Sequence, residues 1–262
     1  MTASQGLLAG RSALVLGLDE IGAGIARRFV GEGAKVAVLS IDDERQVTLH
    51  AAEGFIASET GIPGEDSQRV AAAVRGVTAK LSAPLDILVC NLLPAAAPLL
   101  LEDLDTATFD LALHRVRSTV AAMRAALPGL RESGRGRVVL VGHRYGESVS
   151  ESLGAYNAAA WSIVGLARTA ALEWGQHQIA TNVLLPLART AEFDAAQARR
   201  PKVIDLLVSQ LPLRRVGDPV EDIGGAAALL ASDAACFVNG QVVCADGGQQ
   251  VAGPVLNPAR FA

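Results

Sequence analysis

Short apolar runs, most of them closed by glycine or a polar residue, recur along the chain: SALVLG (12–17), KVAVLS (35–40), LDILVCN (85–91), RVVLVG (137–142), ATNVLLP (180–186) and NGQVVCADGG (239–248). Helical stretches stand between them: IGAGIARRFVGEG (21–33), TFDLALHRVRSTVAAMRAALPGL (108–130), YNAAAWSIVGLARTAALEW (156–174) and VEDIGGAAALLAS (220–232). Strands this apolar need cover on both faces, and joining them through helices leads to parallel pairing by right-handed crossovers. The expectation is an α/β fold, a doubly wound parallel sheet flanked by helices on both faces. It forms a single domain over 1–262 with a tail at 249–262. The stretch 41–84 is weakly patterned and 187–219 reads as a variable segment, so neither receives an element here.

Composition narrows the function. Half of the residues are apolar and only 4% aromatic, which leaves Ala, Val, Leu and Ile to build the core. A net charge of −4 speaks against nucleic acid and anionic membranes, which are bound through clustered Lys and Arg. Small molecules or other proteins are the expected partners. Cys90, Cys236 and Cys244 have no metal-ligand spacing and read as core fillers of a reducing compartment. The start, MTASQGLLAGR, has no basic stretch followed by an apolar segment, and no apolar run approaches a membrane span. A cytoplasmic protein with no metal is expected.

The segment LVLGLDEIGAGIARRF (14–29) sets Gly17, Gly22 and Gly24 between a strand and a helix. Backbone amides at such a helix start form an anion site, and glycines let a pyrophosphate come close. The spacing departs from Gly-x-Gly-x-x-Gly, so tight helix-to-strand packing is the competing explanation. Ser40 ends the second strand where a ribose-binding carboxylate would stand, with Asp42 and Asp43 beyond it. A serine can bond a ribose hydroxyl or a 2′-phosphate, so the choice between NAD and NADP stays open.

Over Leu8 to Gly248 the chain resembles the short-chain dehydrogenase/reductase family, through LDILVCN, MRAALPGLRESGRGRVVLV, the helix from Tyr156, and RRVGDPVEDIGGAAALLASDAACFVNGQVVCADGG. The resemblance implies a Rossmann-like fold, NAD or NADP held by Gly17, Ile21, Gly22, Ser40 and Asn91, and hydride transfer between nicotinamide and a carbonyl carbon. It also implies a catalytic Asn, Ser, Tyr and Lys, and here most of these have changed. Leu16 replaces the family threonine, and Glu20 replaces the middle glycine, where its carboxylate would face the pyrophosphate unless it turns away. Bulky Leu92 and Leu93 replace a small pair after Asn91, and the acidic adenine-side position falls near Gly64. His143 stands for the Ser, Arg115 for the Asn and Ala160 for the Lys, leaving only Tyr156 of the four.

With a reference pKa of about 10, an unassisted tyrosine is phenolate at about one part in a thousand at pH 7. Losing one aligned donor to a developing oxyanion costs about 10²–10³ in rate. Three readings follow. The chain is the catalytically inactive auxiliary subunit of a hetero-oligomeric NAD(P)-dependent hydroxyacyl or ketone dehydrogenase, paired with an active relative in a tetramer and with its own dinucleotide binding lost. Two-subunit dehydrogenases of aromatic catabolism, such as the one acting on a hydroxybenzylsuccinyl-CoA, divide labour in this way. Alternatively it is a rewired oxidoreductase in which Tyr156 works with His143 and a positive charge from Arg115 or Arg144, or it is a metabolite-binding regulatory module. Homo-oligomers remain the alternative assembly. Family members associate through the helices corresponding to 106–127 and 155–174, where Ala121, Ala122, Ala125, Ala158, Ala159 and Ala170 read as exposed small residues that allow close helix approach.

Overall fold

The computed structural model describes residues 6–41, 53–64, 66–94, 98–143, 149 and 151–252. Along them run β1 (Ser12–Leu16), α1 (Glu20–Gly31), β2 (Lys35–Ile41), β3 (Ala57–Ile62), α2 (Ser67–Thr78), β4 (Ile87–Cys90), α3 (Thr106–Ser133) and β5 (Arg137–Val141). Then follow α4 (Gly154–Trp174), β6 (Ala180–Pro186), α5 (Ala191–Arg199), α6 (Pro201–Gln210), a π-helical turn (Pro219–Gly224) that continues into α7 (Gly225–Ala231), and β7 (Val242–Ala245). The strands form one parallel sheet in the order β3-β2-β1-β4-β5-β6-β7. This is the doubly wound α/β architecture expected. The order reverses between β1 and β4, which opens a crevice beyond their carboxyl ends.

Period-two alternation sorts each buried strand between two apolar layers. Leu14, Leu16, Ala37, Leu39, Leu88 and Leu140 join residues of α2, α3 and α4 in one layer. Ala13, Val15, Val36, Val38, Val89 and Val139 join α1 and α7 in the other. Both faces of β1 and β5 are therefore fully covered. By contrast β3, at the sheet edge, has the polar sequence ASETGI and is mostly accessible. That polarity is why 41–84 carried so little pattern, although it holds β3 and α2. The segment 187–219 likewise holds α5 and α6, neither of which contains a buried residue.

Two expectations are corrected. Ala122, Ala159 and Ala170 are buried in the chain's own core, because the helical phase turns them toward the sheet; Ala121, Ala125 and Ala158 are half-buried. Of the cysteines, only Cys90 is a buried core filler, its thiol pushed up to about 12 by burial. Cys236 is exposed and Cys244 half-buried. Asp42, Asp43, Arg144 and the tail from 253 onward lie outside the described residues. Among the described residues no helix is long and apolar enough to cross a membrane.

At the amino ends of the central strands an ionic network joins the buried Arg11 and Asp86 to the more exposed Arg135 and Asp233. Asp86 accepts hydrogen bonds from the Ser12 N–H at 2.9 Å and from Arg135 Nε and Nη2 at 2.8 and 3.2 Å. Arg11, only 2% exposed, donates to Asp233 at 2.6 Å and to the Arg135 carbonyl at 2.8 Å. Removing Asp86 leaves the buried Ser12 N–H without its acceptor while the half-exposed Arg135 returns to water, so Asp86→Ala should cost about 1–3 kcal/mol in urea-induced unfolding. At the other end of the sheet the Arg215 guanidinium, helped by the Asp218 N–H, holds the Asp222 carboxyl down at about 2, against an ordinary 3.8. A depressed carboxyl stabilises the fold above its unfolded pKa and loses that contribution as pH falls through the folded one. Asp222→Asn should therefore flatten the acid loss of stability between about pH 4 and 2, measured by denaturant titration at each pH.

Candidate functional site

The crevice is built on the turn from β1 into α1. Gly17 has φ +81°, and a Cβ there would run into the Asn91 carbonyl; a Cβ at Gly22 would strike the carbonyl of Gly17. These glycines are thus required for the turn to close against β4. Asn91, just past β4, braces the turn with an Nδ2 bond to the Gly17 carbonyl at 3.3 Å. Leu92, buried at 3% exposure, packs its side chain beneath Gly17.

The amides at the head of α1 already have an acceptor. Asp19 is the N-cap, and its Oδ1 accepts from Ile21 N and Gly22 N at 3.0 Å each and from Asn91 Nδ2 at 2.6 Å. Loss of hydration pushes the Asp19 carboxyl above its ordinary value, outweighing the hydrogen bonds from Gly22, Asn91 and Ile21, while the neighbouring Glu20 charge acts in the same direction as burial. Glu20 does turn away from the phosphate position. Its Oε1 accepts from the N–H of Ala191, the first residue of α5, at 3.1 Å. Sequence reasoning concentrated on the glycine spacing and on Glu20 and missed Asp19. The signal was present in an Asp placed just ahead of a helical run, the ordinary N-cap signature.

Along the crevice, Ser40 is fully buried near the end of β2, and its hydroxyl finds no hydrogen-bond partner among the described residues. An orphaned hydroxyl at that strand end suits a ribose hydroxyl. Arg115, from α3, lays its guanidinium against Gly64 and Ile41, where a Cβ on Gly64 would collide with it. Burial draws its pKa down, yet a guanidinium stays charged at neutral pH. Ser118, one turn further along α3, donates to the Gly64 carbonyl. Arg115 is thereby placed at the β2 and β3 ends.

At the β5 side His143 and Tyr156 meet edge to face, with ring centroids 5.5 Å apart and planes at 82°. Such a pair contributes about 0.5–1.5 kcal/mol beyond its buried area. Tyr156 lies in the first turn of α4 and is 8% exposed, and Ala160, on the same helix face, is 1% exposed. Position 160 therefore presents a buried methyl where proton relay would use an ammonium. Of the eight site candidates, the structure gathers Gly17, Ile21, Gly22 and Asn91 around Asp19, sets Ser40 and Arg115 at the β2 end, and pairs His143 with Tyr156. The residues suit a dinucleotide at Ser40 but not at the pyrophosphate, since the Ile21 and Gly22 amides are taken by Asp19.

A family model described as Enoyl-(Acyl carrier protein) reductase matches residues 18–250. The chain is 32% identical over 264 residues to Oxidoreductase UcpA of Salmonella typhimurium, covering 93% of this chain and 96% of that one. It is 28% identical over 256 residues to the 12alpha-hydroxysteroid dehydrogenase of a Clostridium species, covering 93% and 98%. Among solved structures, the 3-oxoacyl (acyl-carrier-protein) reductase of Agrobacterium tumefaciens with NADP bound superposes with a TM-score of 0.78 at 28% identity, over 90% of this chain and 93% of that one. With the model match spanning most of the sheet and the crevice, the chain belongs to the short-chain dehydrogenase/reductase family of NAD(P)-dependent oxidoreductases.

Proposed function

We propose that this chain is a non-catalytic member of its family, the auxiliary subunit of a hetero-oligomeric dehydrogenase whose active subunit keeps the Tyr-x3-Lys pair. The observation that carries this reading is the environment of Tyr156. Its phenol packs on the His143 ring, and the position four residues on is a buried alanine, so no ammonium on α4 favours the phenolate or holds a nicotinamide ribose. The dinucleotide is not bound by this chain, because Asp19 occupies the phosphate-binding amides. The relatives that act on hydroxysteroids and 3-oxoacyl groups make a hydroxyacyl or ketone substrate the natural one for the assembled enzyme.

The scaffold offers a surface for such pairing. Trp161, Gly165, Arg168 and Leu172 form one exposed line along α4, spaced by four, three and four residues, and Leu172 is 86% exposed. Large apolar side chains aligned on a helix without cover suit a helix partner. A second reading, a rewired oxidoreductase, is favoured by the closeness of His143 to Tyr156 and by the unpartnered Ser40 hydroxyl.

Turnover separates the two. The chain alone and the chain co-expressed with a short-chain dehydrogenase that keeps the Tyr-x3-Lys pair, taken from the same genome, are each assayed with 3-oxoacyl thioesters and NADH or NADPH. The auxiliary role predicts turnover by the pair, none by the lone chain, and less than about a twofold change on Tyr156→Phe in the pair; a working phenol would lose about 10²-fold or more. Leu172→Glu should separate the pair in sedimentation velocity while leaving the melting temperature of the lone chain unchanged, since the residue buries nothing within its own fold.

A further inference from the structure

The outward side of α3 carries a charged row. Leu113, Arg117, Val120, Arg124, Pro128 and Arg131 follow one another at spacings of four, three, four, four and three residues, which keeps them on one side of the helix. The three arginines are exposed, and Leu113 and Val120 between them are half-buried. α3 and α4 pack side by side and, each joining two parallel strands, run in the same direction. The row therefore lies beside the exposed line of α4, where Arg168 adds a fourth guanidinium among Trp161, Gly165 and Leu172. None of these four arginines has an ion-pair partner among the described residues.

The acid on this face is Asp110, half-buried at the amino end of the row, so four arginines stand against one aspartate. Glu132 and Glu173 are exposed as well, but helical phase sets both to the side of the two rows. The excess is local, since the whole chain has a net charge of −4. In a two-fold contact a patch faces its own copy, so two of these chains meeting here would set guanidinium against guanidinium. We propose that the α3–α4 face is the docking surface for a different chain whose facing helices are acidic, and that its arginines keep a second copy of this chain from taking that place. Opposite charges steer the right partner while like charges exclude the wrong one. Leu172 and Trp161, 86% and 46% exposed, stand among the guanidiniums, and a Cβ on Gly165 between them would meet open space. A helix bearing apolar and acidic residues covers all of these, whereas a phosphate backbone would leave Leu172 in water. The inference deepens the proposed function by naming the chemistry of the partner, and it rests on that reading only in taking the companion to be a different chain.

The test is sedimentation velocity on the full chain, with an Arg117→Glu, Arg124→Glu double variant of the same chain as the probe, because it presents these helices with their charge reversed. Wild type, variant and their equimolar mixture are compared at about 50 and about 500 mM NaCl. Association through any other face is common to all three samples. The mixture should form a complex absent from either chain alone, weakened at least about tenfold by the higher salt. The melting temperature of the variant should match wild type, since both side chains are exposed and unpaired. A relative that joins the wild-type chain on co-expression should bind the double variant at least about tenfold more weakly, and the Arg117→Lys, Arg124→Lys variant, which keeps the charge, within about twofold of wild type. The proposal is overturned if the mixture gains no complex, if salt does not weaken that complex, or if such a relative binds the Glu variant as well as wild type. It is overturned too if wild type, but not the Glu variant, binds a short DNA duplex or phosphatidylserine vesicles. Turnover by the lone chain, with the sedimentation results intact, would instead remove the non-catalytic reading and leave the docking surface standing. A mixture without a complex, with turnover confined to the pair, would do the reverse.

Discussion

Two backbone N–H groups at the head of α1 point into the crevice, and burial obliges them to find an acceptor. Whatever supplies it decides what the crevice can contain. Here the acceptor is Asp19, held by Asn91 from the end of β4, so the constraint is met entirely within the chain. Around it Glu20 reaches α5, Arg115 lies against the strand ends near Gly64, and His143 and Tyr156 meet edge to face.

The scaffold is that of the family, while the residues at the site depart from the family's pattern. The fold superposes on that of a relative across 90% of the chain, although the turn after β1 departs from the family's glycine pattern at Leu16 and Glu20. Gly17 and Gly22 explain how both conditions hold together. They are demanded by the approach of the turn to Asn91 and to its own carbonyl, so they persist for packing whether or not a phosphate is present. A glycine-rich turn is thus a poor witness to a nucleotide, and the competing explanation raised from the sequence accounts for much of what the glycines do here.

How much could be read beforehand depended on where apolar pattern existed. The central strands and the long helices announced themselves, because each strand is buried on both sides and each helix carries an inward stripe. The edge strand Ala57–Ile62 and the surface helices α5 and α6 did not, since they bury little and so carry little pattern. Helical phase misled the reading of Ala122, Ala159 and Ala170, whose small size suits tight packing inside the subunit as well as between subunits. At the site the altered positions were readable by counting, and Asp19 carried the N-cap signature of an Asp just ahead of a helical run, which the attention to glycine spacing passed over.

The bond from Arg11 to Asp233 joins residues 222 apart, and it lies at the foot of the central strand. During synthesis, at roughly 5–20 residues per second, the guanidinium of β1's first neighbour would wait on the order of 10–45 s for its carboxylate. Early sheet growth from β1 to β3 therefore proceeds beside an unsatisfied cation, and it is the emergence of the last crossover that seals the base of the molecule. That delay places final closure of the base late, after α1 to α7 have all been made.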